Sequence, residues 1–359
     1  MLKNYKNNLS NELLDWYDIN KQPMPWRDDR NIYHIWLSEI MLQQTQITTV
    51  IPYYYKWLET FPNIKDVASA TEEQVLKLWE GLGYYSRAIN FLHACKTIME
   101  SYHGVIPKDQ ENFLKLKGVG PYIDAAVRSI GYNDVVPTID GNVNRVISRV
   151  LCLKRPPQKE YKKIYSFLMD IINKNRPGDF NQALMDLGRD VCKPKSPLCN
   201  KCPIIHSCGA YQKNQTMKYP IKIKSKKIPH FNVAVGVIWK NNSILIAKRK
   251  LGGLLGGLWE FPGGKLYHDE SSEECVIREI YEETGLTVEL KSFISTIKHQ
   301  YSHFSISLDS FHCIYKDGTA TPKNSSEIKW ISPKEISKFP FPKANHKFIN
   351  EIPENNPWL

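Results

Sequence analysis

Four cysteines fall within seventeen residues, Cys192, Cys199, Cys202 and Cys208, in the spacing C-x6-C-x2-C-x5-C. No other stretch restricts the local fold as strongly. Thiols this close in sequence hold a metal or a cluster, or pair as disulfides. The other four cysteines, Cys95, Cys152, Cys275 and Cys313, are scattered in apolar or strand-like surroundings, where a lone thiol is a small core residue. The chain starts MLKNYKNNLSNELL, without an apolar signal core, and no run reaches transmembrane length. A reducing compartment is therefore expected, and disulfides are disfavoured. Zinc and a 4Fe–4S cluster remain. Structural zinc sites more often pair two C-x2-C knuckles, and only one is present, which favours the cluster on spacing. Pro194, Pro197 and Pro203 keep the segment in turns. Lys193, Lys195 and Lys201 make it cationic, which suits a phosphate backbone as well as plain solvent.

A chain of 359 residues is too long for one ordinary core, so two domains are expected. The net charge of +11 favours a polyanionic partner, although RNA-binding and membrane-surface proteins share that trait. Residues 1–216 read as mostly helical. Residues 217–228 read as a basic linker with Lys218, Lys222, Lys224, Lys226 and Lys227. Residues 229–359 bring short alternating strands (Phe231–Trp239, Ser243–Lys248), glycine turns and one clear helix.

In the first part, Gly118-Val119-Gly120 precedes an apolar helix spanning Ile123 to Ile130. Such a turn points backbone N–H groups outward and suits one DNA phosphate; an ordinary glycine turn between helices has the same sequence. Asp140 stands just before a helix beginning near Val143, and its ordinary role is an N-cap. Helix dipole and amide donors are expected to hold this carboxylate ionised, the form that stabilises a sugar cation. Glu39 is the opposite case. It lies in His34–Gln46, a helical stretch apolar nearly all round, so its carboxyl is expected to be buried, with a raised pKa, and able to donate a proton near neutrality. Two carboxylates pushed apart in pKa are the acid and stabiliser of glycosidic cleavage.

Taken with Pro25-Trp26-Arg27, Trp36–Gln46, Trp79–Arg87, Leu116–Tyr122, Ile139–Arg145, Phe180–Gly188 and the four cysteines, the first part resembles MutY-type adenine DNA glycosylases of the helix-hairpin-helix superfamily that includes endonuclease III. The resemblance implies that the cysteines hold a 4Fe–4S cluster. It implies that Glu39 protonates N7 of a flipped adenine and that Asp140 stabilises the sugar cation, with Tyr122 and Asn142 in support. Gln182 and Arg27 would line the adenine pocket, and Gln44 and Tyr84 would form the wedge beside the orphaned base. The lyase branch of the superfamily has lysine where this chain has Tyr122. Tyrosine forms no imine, so a monofunctional enzyme is implied. Thymine-mismatch relatives usually lack the glutamate and the second domain; this chain has both.

In the second part, Gly264-x5-Glu270-x7-Arg278-Glu279-Ile280-Tyr281-Glu282-Glu283-Thr284-Gly285-Leu286 matches a complete Nudix box. Glu279, Glu282 and Glu283 fall on one helix face, where Mg2+ or Mn2+ bound to a pyrophosphate would relieve their repulsion. In MutY-type relatives the box is usually degraded and the domain reads 8-oxoguanine. Tyr301-Ser302-His303 resembles the Phe-Ser-His reading loop of that family, with tyrosine in place of phenylalanine; the same residues in another context make a hairpin turn.

The fold expected is a multidomain α and α/β protein: an all-helical helix-hairpin-helix glycosylase domain with a cluster loop, then a Nudix-like α/β/α sandwich. The expected partner is double-stranded DNA carrying adenine opposite 8-oxoguanine or guanine, bound by a monomer away from membranes, in a bacterial-type cytoplasm. Other readings are a protein that also hydrolyses 8-oxo-dGTP-like nucleotides through the intact box, a nucleotide-pool hydrolase whose helical part only binds DNA, and a noncatalytic mismatch binder.

Overall fold

The computed structural model describes residues 2–27, 29–223, 228–301 and 303–359, with side chains from residue 8 onward. In chain order the first helices are α1 (Leu2–Asn20), α2 (Ile32–Leu42), α3 (Ile47–Thr60), α4 (Ile64–Ser69), α5 (Glu72–Trp79), α6 (Ser86–Ser101) and α7 (Gln110–Lys115). They are followed by α8 (Pro121–Gly131), α9 (Gly141–Leu151), α10 (Tyr161–Ile171), α11 (Pro177–Asp190) and α12 (Gly209–Gln212). Then come β1 (His230–Lys240), β2 (Ser243–Lys248), β3 (Trp259–Glu260), β4 (Gly263–Lys265), α13 (Ser272–Thr284), β5 (Thr287–Gln300), β6 (Ser305–Asp317), β7 (Glu327–Ile331) and α14 (His346–Ile349). By contacts the chain forms two compact units: Met1–Leu58, Pro62–Lys65 and His93–Ser225 in the first, and Glu59–Phe61, Asp66–Leu92 and Lys226–Leu359 in the second.

The helix starts of the first unit are written in its sequence. Asn31 caps α2 by accepting from the Tyr33 and His34 amides, and Asp140 caps α9 by accepting from Val143 N–H. Pro121 and Pro177 open α8 and α11, where a missing N–H costs nothing. The core joins Leu13 and Tyr17 of α1, Val143 and Ile147 of α9, Leu168 of α10 and Phe180 and Leu184 of α11. Cys192 and Cys202 pack against that core, so the cysteine loop rests on α9 and α11 rather than hanging free. Those two helices approach closely because position 188 is glycine: a Cβ there would lie 2.5 Å from the Asn142 Cβ.

In the second unit the sheet runs β3-β2-β1-β6-β5, with β4 also on β1 and β7 on β2. Among the described residues only the β1–β6 pairing is parallel, so the sheet is mixed. The strand period of two splits its side chains between two cores. Val235, Val237 and Trp239 of β1 and Ile244 of β2 meet Ile336, Phe341 and Phe348 on one face. Ala234, Ile238 and Leu245 meet Cys275, Val276 and Ile280, the last three from α13, on the other. Both faces are covered, which is the expected α/β/α sandwich, and β1 and β2 match the expected strands to within a residue at each end. The expected linker begins in an ordered turn around Met217, and its Lys224, Lys226 and Lys227 lie outside the described residues.

Candidate active site

Glu39 sits near the middle of α2, whose Tyr33 and Ile35–Met41 are all buried. Its side chain has almost no contact with water, at 6% exposure. Burial pushes its pKa up to about 7; the hydrogen bond from Tyr122 and the charge of Arg27 oppose this, and the charge of Asp140 adds to it. The raised pKa expected from an apolar helix is therefore present. Tyr122, in the first turn of α8, donates its phenol to Glu39 Oε2 at 2.6 Å. Burial and the facing carboxylate raise the phenol well above its ordinary range, so it stays a donor.

Asp140 accepts from Val143 N–H at 2.6 Å and from the Asn142 amide at 2.9 Å. The expectation that dipole and donors would dominate its ionisation needs correction. Burial is the larger effect and carries its pKa above the ordinary carboxylate value, against the donors of Val143 and Asn142 and the charge of Arg145. Both carboxyls are thus raised by burial, and the sets of donors opposing that rise differ.

Arg27, Glu39, Tyr122, Asp140, Asn142 and Gln182 line one cavity of about 530 Å³, although they are spread over residues 27–182. Asp186 and Arg189 line it as well and are not singled out by the sequence. Asp186 is 2% exposed and holds Arg27 in a two-pronged ion pair at 2.9 and 3.0 Å. Its signal was available: Gln182, Met185, Asp186 and Arg189 fall at i, i+3, i+4 and i+7 on α11 and share a face. Arg27 Nε is buried and finds no acceptor among the described residues. Gln44 occupies a left-handed turn after α2, with φ of 57°, and does not line the cavity. Gly118, with φ of 81°, and Gly120 form the turn that opens α8.

Arg145 is a third residue the sequence reading passed over. It donates to the Asn142 side chain at 2.7 Å, to the Gly188 carbonyl at 2.7 Å and to the Cys192 carbonyl at 2.8 Å. One arginine therefore joins the partner of Asp140 to the first cysteine of the loop. Cys192, Cys199, Cys202 and Cys208 line one small cavity of about 20 Å³ together with Arg149. Among the described residues no three His, Cys, Asp or Glu side chains are arranged to share a single metal ion. Four thiols around one cavity are a donor set that fits a cluster bringing its own sulfur and iron corners. Burial pushes the Cys202 thiol up to about 12, and Arg149 Nη1 lies 3.1 Å from Cys192 Sγ. A thiolate set in that place needs positive charge, so these residues fit such a group.

In the second unit, Tyr84 has φ of 50° in a turn that also holds Gly81 and Gly83 at positive φ. Tyr301 closes the β5–β6 turn through its N–H to the Phe304 carbonyl at 2.8 Å, and its ring stacks on Phe304 at 4.7 Å. His303 is at the tip of that turn, and Ser302 lies outside the described residues. On α13, Arg278 donates to Glu270 at 2.6 Å, Glu279 at 3.0 Å and Glu282 at 3.1 Å. The guanidinium thus pairs with three carboxylates at once. Glu283 accepts from Gly263 N–H at 3.2 Å, and burial pushes it up to about 7.

Residues 37–174 match the HhH-GPD superfamily of base excision DNA repair proteins, and residues 234–351 match the NUDIX domain. The chain is 30% identical to an adenine DNA glycosylase of Buchnera aphidicola subsp. Baizongia pistaciae, with 96% of each chain covered. It is 31% identical to the adenine DNA glycosylase of Mus musculus over 89% of this chain and 73% of that protein. Against the adenine DNA glycosylase of Arabidopsis thaliana it is 34% identical, and the aligned part is 48% of that longer protein. Among solved structures, a thermostable thymine-DNA glycosylase superposes with a TM-score of 0.55 at 25% identity, over 58% of this chain and 98% of that one. A trapped endonuclease III–DNA intermediate shares the fold at 22% identity, with a TM-score of 0.51 over 59% of this chain and 98% of that one. With the Buchnera relative 30% identical over 96% of both chains, the chain belongs to the adenine DNA glycosylases.

Proposed function

We propose that this protein removes adenine mispaired with 8-oxoguanine, and less well with guanine, from duplex DNA, by hydrolysing the N-glycosidic bond without cutting the strand. The observation that carries the reading is a buried carboxyl with a pKa pushed up to about 7, held by a phenol donor, in one cavity with a second carboxylate. Glu39 is protonated in a useful fraction of molecules near neutrality and gives its proton to the ring nitrogen of a flipped adenine. As the glycosidic electrons leave with the base, the sugar gains positive charge. Asp140, steered by Val143 N–H and Asn142, is the anion that meets it. Arg27, fixed by Asp186, and Gln182 are the groups that recognise the base edge.

A 4Fe–4S cluster at the four cysteines would supply a rigid cationic loop for the phosphate backbone and takes no part in bond cleavage. The Tyr301–His303 turn is the reader of the base opposite adenine. No described helix is long and apolar enough to cross a membrane.

The test is single-turnover cleavage of a duplex with one 8-oxoguanine·adenine pair, split into samples with and without hot alkali. Breaks only after alkali are expected. Breaks without alkali would reveal a lyase nucleophile, and no breaks in either sample from iron-loaded protein would end the glycosylase reading.

A further inference from the structure

The helix that leads into the Tyr84 turn is fastened to the sheet of its own unit. Trp259 Nε1 donates to Glu73 of α5 at 3.1 Å. Leu76 lies so close to Gly257 that a Cβ there would be 2.8 Å from its Cδ1. Lys77 donates to the Phe339 carbonyl at 3.1 Å. Glu80, which ends α5, is the most engaged: its carboxylate accepts from Lys77 at 2.5 Å, from Phe341 N–H at 2.7 Å and from His346 Nε2 at 2.8 Å. Burial alone would raise its pKa; these donors outweigh burial and lower it.

Both ends of this link are stiff. On the sheet side, Phe341 is fully buried and stacks on Phe261 at 5.4 Å, while Phe339 meets Trp259 edge-on at 5.2 Å. On the other side, Arg87 donates to the Gly83 carbonyl at 3.0 Å, its guanidinium lies 5.4 and 5.2 Å from the Trp79 and Tyr84 rings, and Trp79 Nε1 donates to Gly83 at 3.1 Å. The turn from Glu80 to Arg87 therefore follows the end of α5 as a block. Strand β3 carries Trp259 and also Glu260, which pairs with Arg249. The charges of Arg249 and Glu260 both reach Tyr301.

We propose that Glu80 is a positioning residue that ties the Tyr84 turn to the sheet bearing the Tyr301–His303 turn, so that recognition of the base opposite adenine is felt at Tyr84 and sets the preference for 8-oxoguanine over guanine. This rests on the reading of Tyr84 as wedge and Tyr301–His303 as reader. A charged acceptor with three donors is hard to replace, because its loss strands the Phe341 N–H and leaves the Lys77 ammonium with only the Phe339 carbonyl.

The experiment measures single-turnover adenine excision from 8-oxoguanine·adenine and guanine·adenine duplexes, with 2-aminopurine beside the orphaned base reporting entry of the wedge into the stack. In Glu80→Ala the ratio of the two rates is expected to fall about tenfold, with a matching loss of 2-aminopurine brightening on the 8-oxoguanine duplex. Glu80→Asp should keep most of the preference. His346→Ala, which removes one donor and leaves the rest, should lower the ratio about threefold and decides the matter if Glu80→Ala does not fold. An unchanged ratio, or both rates falling by one factor as for a merely structural residue, overturns the proposal. A wild-type enzyme that removes adenine without preference ends the reader reading and this proposal together. A preference that survives in both variants ends this proposal alone.

Discussion

At the scale of single residues, Glu39 makes the sharpest predictions. Its carboxyl is pushed up to about 7, so the excision rate should fall as pH rises through that value, where the acid form is lost. Tyr122→Phe removes a hydrogen bond that lowers this pKa, so the falling limb of the single-turnover rate profile should move to higher pH. Glu39→Gln should cost about 10²–10⁴-fold in rate. It should also separate chemistry from stability. A buried group whose folded pKa is raised lends stability below its ordinary pKa and loses it as pH rises through the folded value. The step from 4.5 to about 7 corresponds to about 3 kcal/mol. Glu39→Gln should therefore unfold at higher denaturant than the native chain above pH 7, and the gap should close in acid. Equal midpoints at high pH would show that Glu39 is hydrated rather than buried. The burial of Glu39 was legible because α2 is apolar on every side. The pKa direction of Asp140 was not: its cap position is local, but the helices that cover it come from distant sequence.

At the scale of elements, the pairing of α9 with α11 holds the cavity in shape. Gly188→Ala would place a methyl group 2.5 Å from the Asn142 Cβ. A stability loss of about 1–3 kcal/mol is expected, with a further loss of excision rate because Asn142 positions Asp140. Urea unfolding and single-turnover rates measure the two separately, and a variant as active and stable as the native chain would contradict the packing. Arg149 is fully buried and donates to the carbonyls of Cys192, Lys193 and Thr216. Arg149→Met removes the donor to the Lys193 and Thr216 carbonyls and leaves the Cys192 carbonyl with Arg145 alone, so iron content should drop along with thermal stability. Full iron loading in that variant would show that the loop holds itself. The caps and first residues of α8, α9 and α11 follow from Pro and Asp placements that any reader of the sequence can find. The contact of Arg145 with Cys192, 47 positions away, has no local signal.

At the scale of the whole molecule, the sheet of the second unit stabilises more than its own strands. Residues Asp66–Leu92 group with it, through Trp259, Phe339, Phe341 and His346. A chain ending after residue 223 would expose the α5 face around Leu76 and leave Glu80 without two of its donors. It should melt at lower temperature than the full protein and, on the proposed reading of the Tyr301–His303 turn, excise adenine equally fast opposite 8-oxoguanine and guanine; an unchanged melting midpoint would mean that α5 needs no cover.

Local patterns determined the helical and the strand-rich parts, the cysteine loop, the strands β1 and β2 and the burial of Glu39, because periodicity, caps and motif spacing are properties of neighbours in the chain; the grouping of Arg27, Tyr122, Asn142 and Gln182 with the two carboxylates was implied by the family resemblance. Only the tertiary structure decided that Asp186 clamps Arg27, that burial outweighs the helix cap at Asp140, that Arg278 sits among the carboxylates of α13, and that α5 belongs with the sheet. Each of these depends on groups brought together from far along the chain, where desolvation and charge are set by what packs on top and no short stretch of sequence carries that information.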